Sequence, residues 1–247
     1  MDIAQLVLRS KNVSPLALLT DHNFKLALRP HRVLATARAA QVVFNRPYND
    51  RRNAEFVRDH DTAWARFITS LANWEQFSST LVLPRKERVM VAAWHFPEVS
   101  TVFAFAKQVH ALLLVSQDAP WLESLKASGC TLNMFADGAS MKLAREMQGG
   151  RVVAAMLDHS YPDTHCEKTI LLGRTVNTPS GILELCSRFG YLIVFVAPRA
   201  TGVEVVAEFD ATGHSASNLA QRYNHWLEME IKRASASWLM WQAFPSA

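Results

Sequence analysis

The spacing of apolar side chains changes character about one third of the way along the chain. Up to about residue 80, apolar residues recur at helical intervals, most clearly from Arg51 to Phe77, where Phe56, Trp64 and Phe67 fall on one face. From residue 88 onward, short apolar runs alternate with amphipathic stretches, which is typical of strands and helices layered on one sheet. The pattern predicts an α/β fold: a central mixed, mostly parallel sheet flanked by helices, with a helical N-terminal lead-in.

We expect a single domain over residues 1–247, with the lead-in at 1–80 and the α/β core at 81–247, because no linker or internal repeat divides the chain. Proline suits the first helical position, and we place Pro97 and Pro179 at helix starts. The predicted core helices are Val99 to Gln108, Pro120 to Ser128, Ala139 to Met147, Ser180 to Phe189 and Asn218 to Ala234. The predicted strands are Arg88 to Ala93, Ala111 to Val115, Thr131 to Phe135, Val152 to Leu157, Lys168 to Leu172, Leu192 to Ala197 and Val203 to Glu208.

Composition narrows the class of protein. With 49% apolar and 19% charged residues, the chain can bury a sizeable core. Its 26 Lys and Arg against 22 Asp and Glu give a net charge of +4, which suits an acidic partner such as a carrier protein. No Lys/Arg block is interleaved with aromatic residues, so no nucleic-acid partner is expected.

The cysteines and the N-terminus indicate a cytoplasmic protein. Cys130, Cys166 and Cys186 lie far apart and form no Cys-x-x-Cys pair, which fits a reducing compartment. Residues 1–19 carry Asp2, Arg9 and Lys11 within their apolar pattern, so no signal peptide or membrane span is expected there. Peripheral contact of the first helices with the inner membrane stays open as an alternative.

The most informative local feature is the junction from Val91 to Ser100, where an apolar run stops at His95. Open α/β sheets bind ligands outside the carboxyl ends of their strands, and a histidine placed there can act as a base. Glu98, three residues later, is the nearest carboxylate that could orient the ring. The alternatives are structural: a histidine that caps the helix, and a glutamate that stabilises its first turn.

A second cluster of polar residues follows the predicted strand Val152 to Leu157. A zinc or iron site built from His159, Asp163, His165 and Cys166 is conceivable, but the spacing matches no ligand signature. We favour a metal-free rim of an active site, with Asp158 and His159 at its mouth. The chain lacks a Gly-x-Ser-x-Gly elbow, a Ser-x-x-Lys pair, a His-Glu-x-x-His motif and a glycine-rich phosphate loop.

Taken in order, these segments resemble the lysophospholipid acyltransferase-like superfamily, in its bacterial lipid A biosynthesis (late) acyltransferase branch, over residues 50–247. The stretch 94–100 is similar to that family's His-Phe-Gly-Asn-Trp-Glu motif, with His95 at the histidine. Residues 141–158 are similar to its helix, glycine and strand ending in aspartate, and residues 171–181 to its glycine-containing segment and threonine-led helix. Tyr191 to Pro198 resembles the following strand, and Glu228 and Trp238 fit its closing helix.

The resemblance implies transfer of an acyl group from a carrier-protein or coenzyme A thioester to a hydroxyl or amine, with His95 as the general base. The phosphopantetheine or coenzyme A thioester is the donor substrate, and no bound cofactor or metal is implied. Arg145 and Arg174 are candidates for contacting a donor phosphate or a substrate carboxylate. Because a charged N-terminus replaces the family's apolar one, we expect the acceptor to be a soluble or carrier-bound intermediate instead of lipid A.

The chain departs from the family's pattern at the residue that orients the histidine. The family places an acid five residues after it, whereas here that position is Ser100, and Pro97 replaces a glycine. Glu98 is then the expected substitute, with Ser100 as a secondary hydrogen-bond partner near the substrate. A thioester-releasing or cyclising enzyme, a non-catalytic relative that binds an acyl carrier, and a metal hydrolase remain alternatives.

Overall fold

A computed structural model describes residues 3–45, 51–85, 87–161, 164–199 and 202–245. Within those ranges the chain alternates helices and strands after a helical beginning. The helices are α1 (Ile3–Arg9), α2 (Pro15–Thr20), α3 (His22–Val42), α4 (Arg51–Ala72), α5 (Ser100–Gln108), α6 (Glu123–Ala127), α7 (Ala139–Gln148), α8 (Gly181–Phe189) and α9 (Ala216–Arg233). The strands are β1 (Val89–Ala93), β2 (Leu112–Val115), β3 (Thr131–Asn133), β4 (Val153–Met156), β5 (Cys166–Leu171), β6 (Arg174–Pro179), β7 (Leu192–Arg199) and β8 (Gly202–Asp210).

Six of these strands form the central sheet, in the order β3-β2-β4-β1-β7-β8. All neighbouring pairs are parallel except β7 with β8, which is antiparallel. Strand β1 lies in the interior of the sheet and is buried along its whole length, as expected of a parallel strand covered by helices on both faces. The predicted α/β class, with a mixed and mostly parallel sheet, is confirmed.

Helix starts in the lead-in follow from local capping. The Ser14 side chain accepts from the N–H of Ala17, and the Asp21 side chain accepts from the N–H of Phe24 at 2.8 Å. These bonds satisfy N–H groups that have no partner within the first helical turn. The long helix α4 then buries one apolar face, which includes Trp64 and Ile68, against the same hydrophobic core that covers the sheet.

All seven predicted strands are present, each with its ends within two residues of the expected ones. An eighth strand, β6, was not predicted. It pairs with β5 through the two-residue turn Leu172-Gly173, in which both residues have positive φ, as a tight hairpin requires. The Glu228 carboxylate accepts from the N–H of Leu172 at 2.8 Å, which ties this turn to α9.

The two prolines placed at helix starts were placed wrongly. Pro97 lies in a turn that precedes α5, which begins at Ser100, and Pro179 is the last residue of β6. Both prolines nevertheless lie at or close to the boundary of a helix or strand. A fixed φ and a missing N–H suit a turn or a strand end as well as a first helical turn.

The segment 235–245, called the C-terminal segment below, packs between the helical lead-in and the sheet. The Ala236 carbonyl accepts from His60 Nδ1 on α4 at 2.8 Å, and the Trp241 carbonyl accepts from Arg38 on α3 at 2.8 Å. His60 Nε2 in turn accepts from the Trp64 indole at 3.2 Å. Since one ring nitrogen donates and the other accepts, His60 is neutral; burial, which outweighs the bond to Ala236, lowers its pKa to about 4.

This neutral histidine makes the stability of the protein depend on pH. A histidine with a pKa of about 4 when folded and 6.5 when unfolded stabilises the fold fully above pH 6.5. Its contribution is lost as the pH falls from 6.5 toward 4, by about 3 kcal/mol. We expect the free energy of unfolding, measured by urea denaturation, to fall over that interval. The fall should be smaller by about 3 kcal/mol in His60→Gln and unchanged in His22→Gln, since His22 is exposed on α3; an unchanged fall in His60→Gln would contradict the assignment.

Candidate active site

The register of the central sheet places His95 beside Asp158. Strands β1 and β4 are parallel neighbours in which Ala93 stands opposite Met156. Two residues further along from each of these positions, at the carboxyl edge of the sheet, His95 lies opposite Asp158. His95 and Asp158, which the sequence places at the ends of two different strands, therefore lie side by side at one edge of the sheet.

Asp158 binds His95 through both of its oxygens. Its Oδ1 lies 2.7 Å from His95 Nδ1, and its Oδ2 accepts from the backbone N–H of His95 at 2.9 Å. The indole N–H of Trp238 donates to the same Oδ2 at 2.9 Å. The Asp158 side chain is fully buried, whereas that of His95 is 23% exposed.

These contacts fix the ionisation of Asp158. Burial alone would raise its pKa, but the adjacent His95 ring and the hydrogen bonds from His95 and Trp238 outweigh it and hold the pKa of Asp158 below its usual value. An ionised carboxylate only accepts hydrogen bonds, so His95 Nδ1 carries the proton. Nε2 then presents its lone pair, which is the tautomer that a general base needs.

Glu98 does not orient His95. Its carboxylate forms an ion pair with Arg66 of α4, and its side chain is 29% exposed. Burial raises the pKa of Glu98 despite the opposing charge of Arg66. Nearby, Ser70 of α4 donates to the Pro97 carbonyl at 2.8 Å. Glu98 and Pro97 thus fasten the β1–α5 loop to the lead-in, and the expected role of Glu98 passes to Asp158.

Ser100 is not a partner of His95 either. The Ser100 side chain is fully buried at the start of α5, and its hydroxyl has no hydrogen-bond partner among the described residues. It therefore does not reach substrate from this position. The expected secondary hydrogen bond from Ser100 to the imidazole is therefore not formed, and Asp158 is the residue that binds Nδ1.

A cavity of about 210 Å³ lies on the Asp158 side of the pair, beneath the β5–β6 hairpin. His159 lines it, and burial followed by the neighbouring charge of His95 lowers the pKa of His159. The Arg174 guanidinium lies 5.9 Å from the ring centroid of Phe244 and donates to the Pro245 carbonyl. The lining residues are Leu157, Asp158, His159, Ser160, Leu171, Thr175, Val176, Asn177, Thr178, Asn224, Trp238, Met240, Ala243, Phe244 and Pro245.

Aromatic rings extend the same edge of the sheet on the side of β3. The Tyr161 ring packs edge-on against Phe135 at 5.3 Å and His159 at 4.7 Å between ring centroids. Its hydroxyl donates to Ser116, which follows β2, at 2.8 Å. Phe135 and Tyr161 are 47% and 40% exposed, so this edge offers apolar surface to a ligand.

Arg145 lies far from this site. It lines a separate depression of about 510 Å³ with Glu87, His110 and Arg151, at the end of the sheet where β1, β2 and β4 begin. His95 lies where β1 ends, at the opposite edge. The structure therefore does not bring Arg145 together with His95, since Arg145 lies in the last turn of α7, which runs back to the amino end of β4, and its contact with a donor phosphate or substrate carboxylate stays a prediction.

Two further expectations concern metals and membranes. Among the residues that the structure describes, no three His, Cys, Asp or Glu side chains gather as metal ligands. Asp163, one ligand of the conceivable metal site, lies outside the described residues. None of the described helices combines the length and the apolar character that crossing a bilayer demands.

Comparison with known proteins assigns the chain to no family. No family model matches the chain, and no curated protein matches it. Among solved structures, it is similar to the 1-acyl-sn-glycerophosphate (LPA) acyltransferase PlsC from Thermotoga maritima, with a TM-score of 0.45 and 12% identity, over 83% of this chain and 97% of that chain. At this level of similarity the chemistry must be inferred from the site itself.

The free energy of unfolding distinguishes Asp158, which binds three N–H groups, from Ser100, whose hydroxyl has no partner among the described residues. Asp158→Ala leaves the His95 N–H groups and the Trp238 N–H without their acceptor, at about 1–3 kcal/mol for each buried group. We expect a loss of roughly 3 kcal/mol in the free energy of unfolding, measured in urea. Ser100→Ala removes a buried hydroxyl that has no partner among the described residues and should leave the free energy of unfolding unchanged or raise it. Equal losses in the two variants would contradict the hydrogen-bond network.

Proposed function

We propose that this protein is an acyltransferase, which moves an acyl group from a carrier-protein or coenzyme A thioester to the hydroxyl or amine of a soluble or carrier-bound intermediate. The observation that carries the proposal is the His95–Asp158 pair at the carboxyl edge of the sheet, with Nδ1 bound and Nε2 left as an acceptor. The resemblance of the segments 94–100 and 141–158 to the lipid A acyltransferase branch supports the same reaction class.

In the proposed reaction His95 Nε2 accepts the proton of the acceptor hydroxyl or amine as that group attacks the thioester carbonyl. The imidazolium that forms is stabilised by the buried Asp158 carboxylate at 2.7 Å. When the carbon–sulfur bond breaks, the proton on Nε2 passes to the departing thiolate. The acyl group ends on the acceptor, a free thiol is released, and His95 returns to its neutral form.

The surroundings of the pair suit an acyl donor. The exposed rings of Phe135 and Tyr161 offer apolar surface for an acyl or pantetheine chain. The cavity beneath the hairpin, with His159 on its wall and Arg174 at its rim, offers a separate place for a small acceptor. The net charge of +4 favours an acidic carrier protein as the partner that brings the donor.

Peripheral contact with a membrane is a further part of the proposal. Helices α1 to α3 expose Leu8, Leu16 and Leu26, and α3 carries basic residues but no acidic one. Exposed apolar and basic side chains of this kind suit the interface of an anionic bilayer. Cytoplasmic location is proposed with it.

The function is tested by incubating the protein with acyl carrier protein and acyl-CoA donors and a pool of small acceptors. Thiol release and the mass of the products distinguish acyl transfer from thioester hydrolysis and from ring closure. His95→Gln and Asp158→Asn should each lower transfer by about 10²–10⁴-fold, because the first removes the base and the second lets Nε2 carry the proton. Asp61→Asn, a matched change in an ion pair with Arg32, should retain activity.

Glu98→Gln completes the comparison. It breaks the ion pair with Arg66 but touches no atom of His95, so we expect transfer within about threefold of the parent protein. A loss as large as that of Asp158→Asn would return Glu98 to the mechanism. Free acid as the only product would favour the thioester-releasing alternative, and product formation that survives His95→Gln would overturn the proposed site.

A further inference from the structure

We propose that Trp238 is a positioning residue, whose indole N–H holds one oxygen of Asp158 so that the other faces the His95 ring. As a role in catalysis this rests on the function proposed above, whereas the role in holding the carboxylate does not. Trp238 lies 80 residues beyond Asp158 in the chain and enters the site from the C-terminal segment.

The geometry of the carboxylate gives Trp238 a specific task. Oδ2 is held by two donors, the Trp238 indole and the His95 backbone N–H, both at 2.9 Å. Oδ1 is left to His95 Nδ1 at 2.7 Å. Because a carboxyl group can rotate about its Cβ–Cγ bond, a second donor on Oδ2 restrains that rotation and aligns Oδ1 with the ring.

Tryptophan suits this position for two reasons. The indole is a donor only, so it binds the ionised carboxylate and cannot accept a proton from a neutral one. Its ring is 1% exposed and packs against Trp241 at 4.8 Å and Phe244 at 5.7 Å between centroids, which leaves little room for the N–H to turn away.

The backbone around Trp238 is anchored on both sides of the site. The N–H of Leu239 donates to the His95 carbonyl at 3.1 Å. The Ala236 carbonyl is bound by His60 of α4, and the Trp241 carbonyl by Arg38 of α3. The lead-in helices therefore fix the segment from which Trp238 reaches Asp158.

The test compares Trp238→Phe with Trp241→Phe. Both changes keep a buried aromatic ring in the same segment and delete one indole N–H. The Trp241 N–H donates to the Ser235 carbonyl at 2.8 Å and does not touch Asp158, so that variant is the matched control. The readout is the titration of the Asp158 carboxyl carbon, followed by NMR of protein with ¹³C-labelled aspartate and assigned with Asp158→Asn.

Loss of a donor to the ionised form should make Asp158 titrate at higher pH in Trp238→Phe and not in Trp241→Phe. With thioester donors, kcat should fall about tenfold in Trp238→Phe, with the KM for the donor little changed, because the donor is proposed to lie along Phe135 and Tyr161 and not in the cavity that Trp238 lines. An Asp158 resonance identical to that of the parent protein at every pH at which both are folded would overturn the proposal. So would equal changes in the two variants, since that would be an effect of packing.

Two further comparisons keep failure of the positioning role distinct from failure to fold and from failure of the proposed function. If Trp238→Phe does not fold, ¹⁵N-labelled tryptophan in Asp158→Asn asks the same question: the indole resonance of Trp238 should move, and that of Trp241 should not. An unmoved Trp238 resonance overturns the proposal. If the parent protein transfers no acyl group while the Asp158 titration responds to Trp238→Phe, the proposed function fails and the positioning role stands.

Discussion

The site depends on one buried charge. A carboxylate removed from water is tolerated only when donors replace the water, and Asp158 has three: two from His95 and one from Trp238. These donors come from the end of β1 and from the C-terminal segment, while Asp158 follows β4. The hydrogen bonds of the Asp158 carboxylate therefore form only when the middle of the sheet and the C-terminal segment are both in place. The His95–Asp158 pair thus depends on the whole fold and not on one local element.

Much of the fold could be predicted from sequence, because strands buried on both faces read as continuous apolar runs. The strand β6 was missed for a physical reason: its sequence, Arg-Thr-Val-Asn-Thr-Pro, is polar, and it is paired in a two-stranded hairpin instead of the central sheet. The glycine of Leu172-Gly173 is compatible with a hairpin turn, but the turn also needs a positive φ at Leu172. A positive φ is uncommon for leucine, so the sequence does not predict this turn.

The site was predicted in its parts and not in its pairing. His95 and Asp158 could each be placed at a strand end, but the order of strands is a long-range property, and only β1 beside β4 in the observed register brings them together. Without the strand order, Glu98 was favoured as the residue that orients His95 because it is close to His95 along the chain. Its ion-pair partner Arg66 lies on α4, and the hydrophobic pattern of a helix does not show where in the fold that helix packs. Trp238 was likewise noted only for its fit to the family's closing helix, because an indole N–H has no signature in hydrophobic periodicity.

Position 100 shows that His95 is oriented from a different element than the family resemblance implies. An acid five residues after the histidine would reach it from the first turn of the following helix, and here that place holds a buried serine without a partner. Asp158 approaches from the adjacent strand and binds both the ring and the backbone N–H of His95. This second contact restrains the loop as well as the ring, so an acid at position 100 is not required for His95 to present Nε2.

The ionisation states of the groups around the C-terminal segment are mutually consistent. His60 holds Ala236 only as a neutral ring, and Asp158 binds Trp238 as a carboxylate. Burial lowers the pKa of His60 to about 4, while the donors hold the pKa of Asp158 below its usual value. Both groups thus keep these states near neutral pH. The same range of pH therefore holds the C-terminal segment on α4 and the Asp158 carboxylate on Trp238 and His95.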